Sequence, residues 1–284
     1  MYGRYLGASA GFFGVLVAEA PAQADESPFA SIYTTELLPE GGAEAEQWVT
    51  WANSKPDERF DEAEGRTEVE YGLSSRFQLS LYANYEWTRI VPKGPGALEA
   101  ATDTTRFSGF SGEAIYQVLN PFTDAFGFAV YLEPAIGAGE REIEGKLLFQ
   151  KNFLEDQLIL AANVNLEYQW EHDVAAQEWE HGTALELYLG VSYRLAPGWY
   201  GGVEFLNENG FEGHLLFDRA HAATNAFYFG PALHYGGETW WATLAVYQQL
   251  PWAGNPAHEP GALSHGLLVE AERFRVRFRM GVRL

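Results

Sequence analysis

The end of the chain sets a cation at almost every second position: Arg273, Arg275, Arg277, Arg279 and Arg283. Guanidinium groups grip carboxylates through paired N–H bonds. On an extended strand this spacing puts them all on one face, about 6.5–7 Å apart. Phe274, Val276, Phe278, Met280, Val282 and Leu284 occupy the other face. Glutamates supply the opposite charge. Glu44, Glu46, Glu68, Glu70, Glu86, Glu113, Glu133, Glu167, Glu186 and Glu204 fall on the polar side of similarly alternating stretches. Two chemistries fit such a set. One is a solute path between an arginine wall and an acidic wall, whose transverse field selects and orients what passes. The other is an internal salt-bridge network that fixes strand register and fills the interior. The sequence leaves both open.

Other reactive types lead less far. His172 and His181, with Glu171 and Glu180 beside them, flank a turn in the stretch EHDVAAQEWEH and offer nitrogen and oxygen donors of the kind zinc or copper takes. A solvated loop explains them as well, and no metal is assigned. Ser264 and His265 are adjacent, and neighbours on a strand point to opposite faces, so a nucleophile–base pair is not expected from them. No Gly-x-Ser-x-Gly elbow occurs, and the Gly94-Pro95-Gly96 stretch lacks the strand-to-helix setting of a phosphate cradle. The reading is therefore not an enzyme, with no cofactor; a sealed structural or surface-interaction barrel is the alternative, and an outer-membrane lipid-modifying enzyme the lesser one.

What must position these side chains is a set of long strands. Phe77, Leu79, Leu81, Ala83, Tyr85 and Trp87 alternate with Gln78, Ser80, Tyr82, Asn84 and Glu86. The same period-2 pattern runs through 158–170, 185–194 and 274–284. Soluble strands are mostly about 5–6 residues, whereas a tilted membrane-spanning strand needs about 9–11. Aromatics collect at the strand ends. Trp51, Trp87, Trp170, Trp179 and Trp252 mark one side, and Tyr71, Phe77, Tyr193, Trp199, Tyr235 and Trp240 the other. Such girdles belong to transmembrane β-barrels. Leu79, Leu81, Leu160, Val164, Leu187, Leu189, Val276 and Phe278 are then expected to face lipid. The reverse orientation would put arginines into hydrocarbon at about 2–4 kcal/mol each near the midplane.

Short turns at 72–76, 120–124, 152–156, 196–198 and 236–237 alternate with longer or more polar connections near 54–63, 92–104, 138–141, 172–179, 208–222 and 251–264. The expected architecture is all-β: a single transmembrane antiparallel up-and-down barrel of about twelve strands over 43–284. The strands are placed at 43–53, 65–73, 76–90, 105–119, 125–137, 141–151, 157–171, 179–195, 199–207, 222–235, 238–249 and 265–284. Ahead of it, residues 1–24 read as a cleaved signal peptide, with Arg4, the apolar stretch 6–17 and the Ala22-Gln23-Ala24 site. Residues 25–42 are a periplasmic segment, a lumen plug, or an extra strand at Phe29–Leu37.

Composition agrees. A formal net charge of −21 speaks against a nucleic-acid partner, and the absence of cysteine removes disulfides and thiolate metal sites. A hydrophobic fraction of 47% is too high for a disordered chain. Acids such as Asp57, Glu58, Asp61, Glu62, Glu64, Asp103, Asp173 and Glu208 are read as loop residues; plain solubility and charge repulsion account for them, and divalent cations shared with lipopolysaccharide are the alternative.

The last strand resembles the C-terminal assembly signal of Gram-negative outer-membrane proteins, ending in Leu284 where an aromatic is usual. The stretches ELLPEGGAEAEQWVTW (36–51) and TEVEYGLSSRFQLSLYANY (67–85) resemble the opening of a group of uncharacterised outer-membrane barrels. That group is loosely similar to outer-membrane transporters encoded with aromatic-degradation pathways. The resemblance implies a bacterial outer-membrane address and contact with outer-membrane lipid and lipopolysaccharide. It also implies delivery by the barrel-assembly machinery through the C-terminal strand. A porin-like passive path for an unidentified small solute follows by analogy.

Overall fold

A computed structural model describes residues 27–55, 58–92, 101–173, 177–213, 222–254 and 261–284. The expected signal peptide and Asp57 lie outside them. The barrel strands are β1 (Ala43–Asn53), β2 (Glu58–Ser74), β3 (Phe77–Pro92), β4 (Thr102–Leu119), β5 (Gly127–Ile136), β6 (Glu140–Phe153), β7 (Leu158–Asp173), β8 (Glu178–Ala196), β9 (Trp199–Glu212), β10 (Ala222–Gly236) and β11 (Trp240–Gln249). Two short strands follow, β12 (Leu263–Ser264) and β13 (Leu267–Leu268), and then the last barrel strand, β14 (Phe274–Arg283). Each barrel strand pairs antiparallel with its neighbours, and β14 closes the ring between β11 and β1.

Strand alternation sorts the side chains. Leu79, Leu81, Leu187, Leu189 and Phe278 are exposed on the outer surface. Leu160, Val164 and Val276 share that side and are half-exposed. With Val69, Leu132, Leu147, Val203, Leu233 and Leu244 they make an apolar belt far larger than water tolerates on a monomer. Aromatics pack in tilted pairs at its edges, as in Trp199–Tyr235 at 4.9 Å and Tyr235–Trp240 at 4.8 Å. By the rule that short turns face the periplasm, the end bearing Ala43 and Arg283 is periplasmic.

Two strand starts differ most from the sequence reading. Strand β2 begins at Glu58, not near 65, because the ladder Glu58↔Pro92 to Glu64↔Glu86 continues above the belt. There Glu58, Asp61, Glu62, Glu64 and Arg89 interrupt the apolar alternation, which no longer signals a strand. The last barrel strand begins at Phe274, not 265. Residues 263–268 instead form the β12–β13 hairpin, whose Leu268 joins a buried cluster inside the barrel. Consequently Arg273 precedes the strand, and its backbone ties Gln249 of β11 to Asn53 of β1.

Strand β4 carries a bulge that the alternation does not show. Gly109 sits at φ +133°, and the pairing with β3 slips between Asn84 and Tyr85. A Cβ at Gly109 would lie 2.1 Å from the Ile136 carbonyl oxygen. The extra residue reverses the facing rule. Phe107 and Phe110 both point out, 4.9 Å apart, while Arg106 turns inward beside Glu86.

Of the three alternatives for the segment ahead of β1, the lumen plug describes residues 27–38, and only 39–41 are exposed at the mouth. Residues 27–38 run through the lumen as irregular chain, with Phe29, Ala30, Ile32 and Thr35 at 0% exposure.

Candidate functional site

The lumen divides at this inner segment. Its backbone lacks a sheet partner, and buried peptide groups need one. The wall supplies it through inward amides and one carboxylate. The Leu38 N–H donates to Gln78 Oε1 at 2.8 Å. The Thr35 N–H donates to Gln150 Oε1 at 2.8 Å, and Gln117 Nε2 donates to the Thr35 carbonyl at 2.6 Å. Asn163 holds both sides of the Tyr33 peptide, at 2.8 and 2.9 Å. Glu204 accepts the Ala30 and Ser31 N–H groups at 2.8 and 2.9 Å, and also the Tyr247 hydroxyl at 2.9 Å. The segment thus crosses from the β3 wall past β4, β6 and β7 to β9 and β11.

Apolar packing completes the seat. Phe29, Ala30 and Ile32 pack with Ile159, Tyr188, Tyr200, Leu206, Tyr228 and Tyr247. Full burial of each large side chain is worth about 1.5–3 kcal/mol. The wall is recessed to admit them. A Cβ on Gly190 would lie 2.6 Å from Phe29, and one on Gly127 2.1 Å from Thr35 Oγ1.

Toward the periplasm the interior is closely packed and charged. Arg279 is 2% exposed, 3.2 Å from Glu46 Oε2, with its guanidinium 3.7 Å over the Trp48 ring. The Trp48 indole N–H donates to the same Glu46 oxygen at 2.7 Å. Glu44 accepts the Trp241 indole N–H and lies 3.9 Å from Arg283 Nε. Glu68 and Glu70 face this group from β2 and are buried. Near the inner segment, Glu113 accepts the hydroxyls of Tyr82 and Tyr33, and Glu133 pairs with Arg66. Burial, reinforced by Glu113, holds the Tyr33 phenol well above its usual pKa, so it stays a donor.

Toward the outside the lumen opens into two joined cavities of about 530 and 420 Å³ that share Glu64, Arg66, Glu142 and Glu144. The deeper one has Ser31 and Tyr33 of the inner segment in its lining. Its walls carry Glu62, Glu64, Glu142, Glu144, Glu167, Glu186, Glu208 and Glu272 against Arg66, Lys146, Arg275 and Arg277. Glu62, Glu64 and Glu208 are therefore strand residues facing the lumen, not loop acids. Arg275 bonds Glu208 at 2.7 Å and Glu272 at 2.5 Å. Burial raises the Glu272 carboxyl, but the Arg275 charge outweighs it and holds the group below the ordinary carboxylate range. Arg277 is held by hydroxyls, Thr50 at 2.8 Å and Ser31 at 3.2 Å. At the rim, Arg106 bridges Glu86 and Glu140 at 2.8 and 3.0 Å.

The arginine face and acidic face named from the sequence thus meet, but not as one pair of walls. Arg279 and Arg283 reach β1, whereas Arg275 reaches Glu208 of β9 and Glu272 instead of the first two strands. Glu86, Glu167 and Glu186 sit in the outer half, and Glu204 holds the inner segment. Sequence reasoning missed Gln78, Gln117, Gln150 and Asn163 as seat residues. Their signal was amide side chains on inward strand positions, together with glycines such as Gly190.

Two smaller readings change. Ser264 Oγ lies 3.3 Å from His265 Nδ1, because His265 adopts φ +55° in the hairpin turn and strand alternation does not apply. The pair is exposed. His172 and His181 do not oppose each other; they stand across from Trp179 and Trp170.

A closed twelve-strand ring, a lipid-facing apolar belt and a charged lumen define an outer-membrane β-barrel and place the protein in the bacterial outer membrane. The chain belongs to DUF6662, a family of unknown function, whose model matches residues 21–284. No curated protein matches it in sequence. Among solved structures it is similar to the COG4313 outer membrane channel from Pseudomonas putida F1, at 11% identity and TM-score 0.61, over 88% of this chain and 98% of that one. It is also similar to the beta domain of the Bordetella autotransporter BrkA, at 10% identity and TM-score 0.52, over 86% and 100% of the two chains. The NanC porin aligns at 10% identity and TM-score 0.50, over 85% and 100%. At these identities the likeness is one of fold.

Proposed function

We propose that the protein is a gated passive channel for a small solute, in which residues 27–42 are the gate and the outer cavity is the selecting vestibule. The observation that carries the reading is the surplus of carboxylates in the deeper cavity, set directly above a segment tethered through Gly42 to β1. Low-dielectric walls focus that negative field and concentrate cations at the mouth. Net passage then favours cationic or neutral solutes over anionic ones. Two fold neighbours described as a channel and a porin support the class. No reaction is part of this reading.

The density of bonds to the inner segment favours a second reading, a sealed structural barrel. Planar-bilayer conductance separates the two. Wild-type protein should show brief, infrequent, cation-preferring openings. Deleting residues 27–37 should give a steady conductance with the same preference. A deletion variant that folds and stays silent would establish the sealed barrel.

A further inference from the structure

The register of β1 and β2 sets Glu44 opposite Glu70 and Glu46 opposite Glu68. All four side chains turn into the periplasmic half of the lumen, at 0–3% exposure. Directly opposed like charges oppose strand pairing, and burial of an ionised carboxylate is costly unless it is matched. Part of the charge is matched. Glu44 has the Trp241 indole and Arg283, and one Glu46 oxygen has the Trp48 indole and Arg279. Glu68 is different. It is fully buried, and neither carboxylate oxygen has a hydrogen-bond partner among the described residues. One oxygen from each of Glu46, Glu68 and Glu70 lies within 4.8 Å of the other two.

We propose that Glu46, Glu68 and Glu70 form a buried site for a hard divalent cation of the calcium class. Carboxylate oxygens bound to calcium stand about 2.3–2.6 Å from the ion, which sets them about as far apart as these. An all-oxygen donor set suits calcium or magnesium, and the absence of nitrogen or sulfur among the three disfavours zinc and copper. Calcium fits better than magnesium. Magnesium demands a near-ideal octahedron and keeps its waters, whereas calcium accepts irregular and bidentate carboxylates. The ion would neutralise the surplus charge and bind β1 to β2 beside the closing seam with β14. The site is separate from the vestibule acids and does not depend on whether the lumen conducts. The competing occupant is the proton, with the glutamates held as neutral acids.

The test uses full-length protein folded in detergent, stripped with chelator and then given calcium chloride. Calcium at about one hundred times its Kd should multiply the folded-to-unfolded ratio about a hundredfold. Terbium should show luminescence sensitised by Trp48 that calcium quenches. Glu68→Gln should abolish both responses, while Glu167→Gln in the vestibule should leave them. Should Glu68→Gln fail to fold, Glu70→Gln serves as the second variant and the chelator response of the wild type decides. A wild type indifferent to both calcium and chelator overturns the proposal. So does a calcium response that survives Glu68→Gln and is lost in Glu167→Gln.

Discussion

In the periplasmic half of the barrel Arg279 keeps 2% of its side chain in solvent; in the outer half Arg106 keeps 52%. Both are inward arginines paired with glutamate, yet their settings differ in kind. Arg279 is fixed by Glu46 and two indole rings in a closely packed interior, where unmatched charge is costly. Arg106 sits at a wet rim, where ion pairs are worth little. The same residue types therefore hold the structure together below the inner segment and shape a field above it. Stability and gating should respond to the lower set, and ion preference to the upper.

The sharpest way to break this contrast is Arg279→Met. In calcium-free buffer it leaves Glu46 buried beside Trp48 without its cationic partner, so unfolding in urea should become easier by about 3–5 kcal/mol. Next comes Glu204→Gln. The Ala30 and Ser31 N–H groups lose a charged acceptor, which weakens seating of the inner segment by about 1.5–3 kcal/mol. Single-channel recording should then show openings roughly tenfold to a hundredfold more frequent. The smallest effect belongs to Arg106→Gln. It should alter stability by about 0–1 kcal/mol, with gating unchanged and cation preference raised by loss of a positive rim charge. An Arg106 variant as unstable as the Arg279 variant would erase the distinction between the halves.

The strands were legible because burial on one side and lipid on the other enforce strict alternation. Leu158–Trp170 and Phe274–Leu284 show this most plainly, and the arginine face of β14 follows from it directly. Where that contrast ends, the sequence stops reporting. The residues Asp61, Glu62 and Glu64 continue β2 into water, and their polarity reads as loop. Leu267 and Leu268 are apolar enough to read as strand, yet fold inward as a hairpin. The inner segment is the largest gap. Its partners lie on seven different strands, so no local pattern encodes it. The partners of Arg275 were unreadable for a related reason. Glu208 stands 67 positions away, on a strand that is not its hydrogen-bonded neighbour.

The bonds of residues 30–38 reach steadily farther only in outline. Leu38 is held by a residue 40 positions later, Thr35 by ones 82 and 115 later, Tyr33 by ones 80 and 130 later, and Ala30 and Ser31 by ones 173 to 246 later. Contacts between distant positions carry the larger loop-closure entropy and form later. Seating the whole segment therefore calls on strands from β3 to β14. Its first grip needs only β3. Its last, Ser31 to Arg277, needs β14, the strand that shuts the seam. That final bond is a record of completed assembly: a barrel that closed around an unseated segment would carry every strand and still lack it.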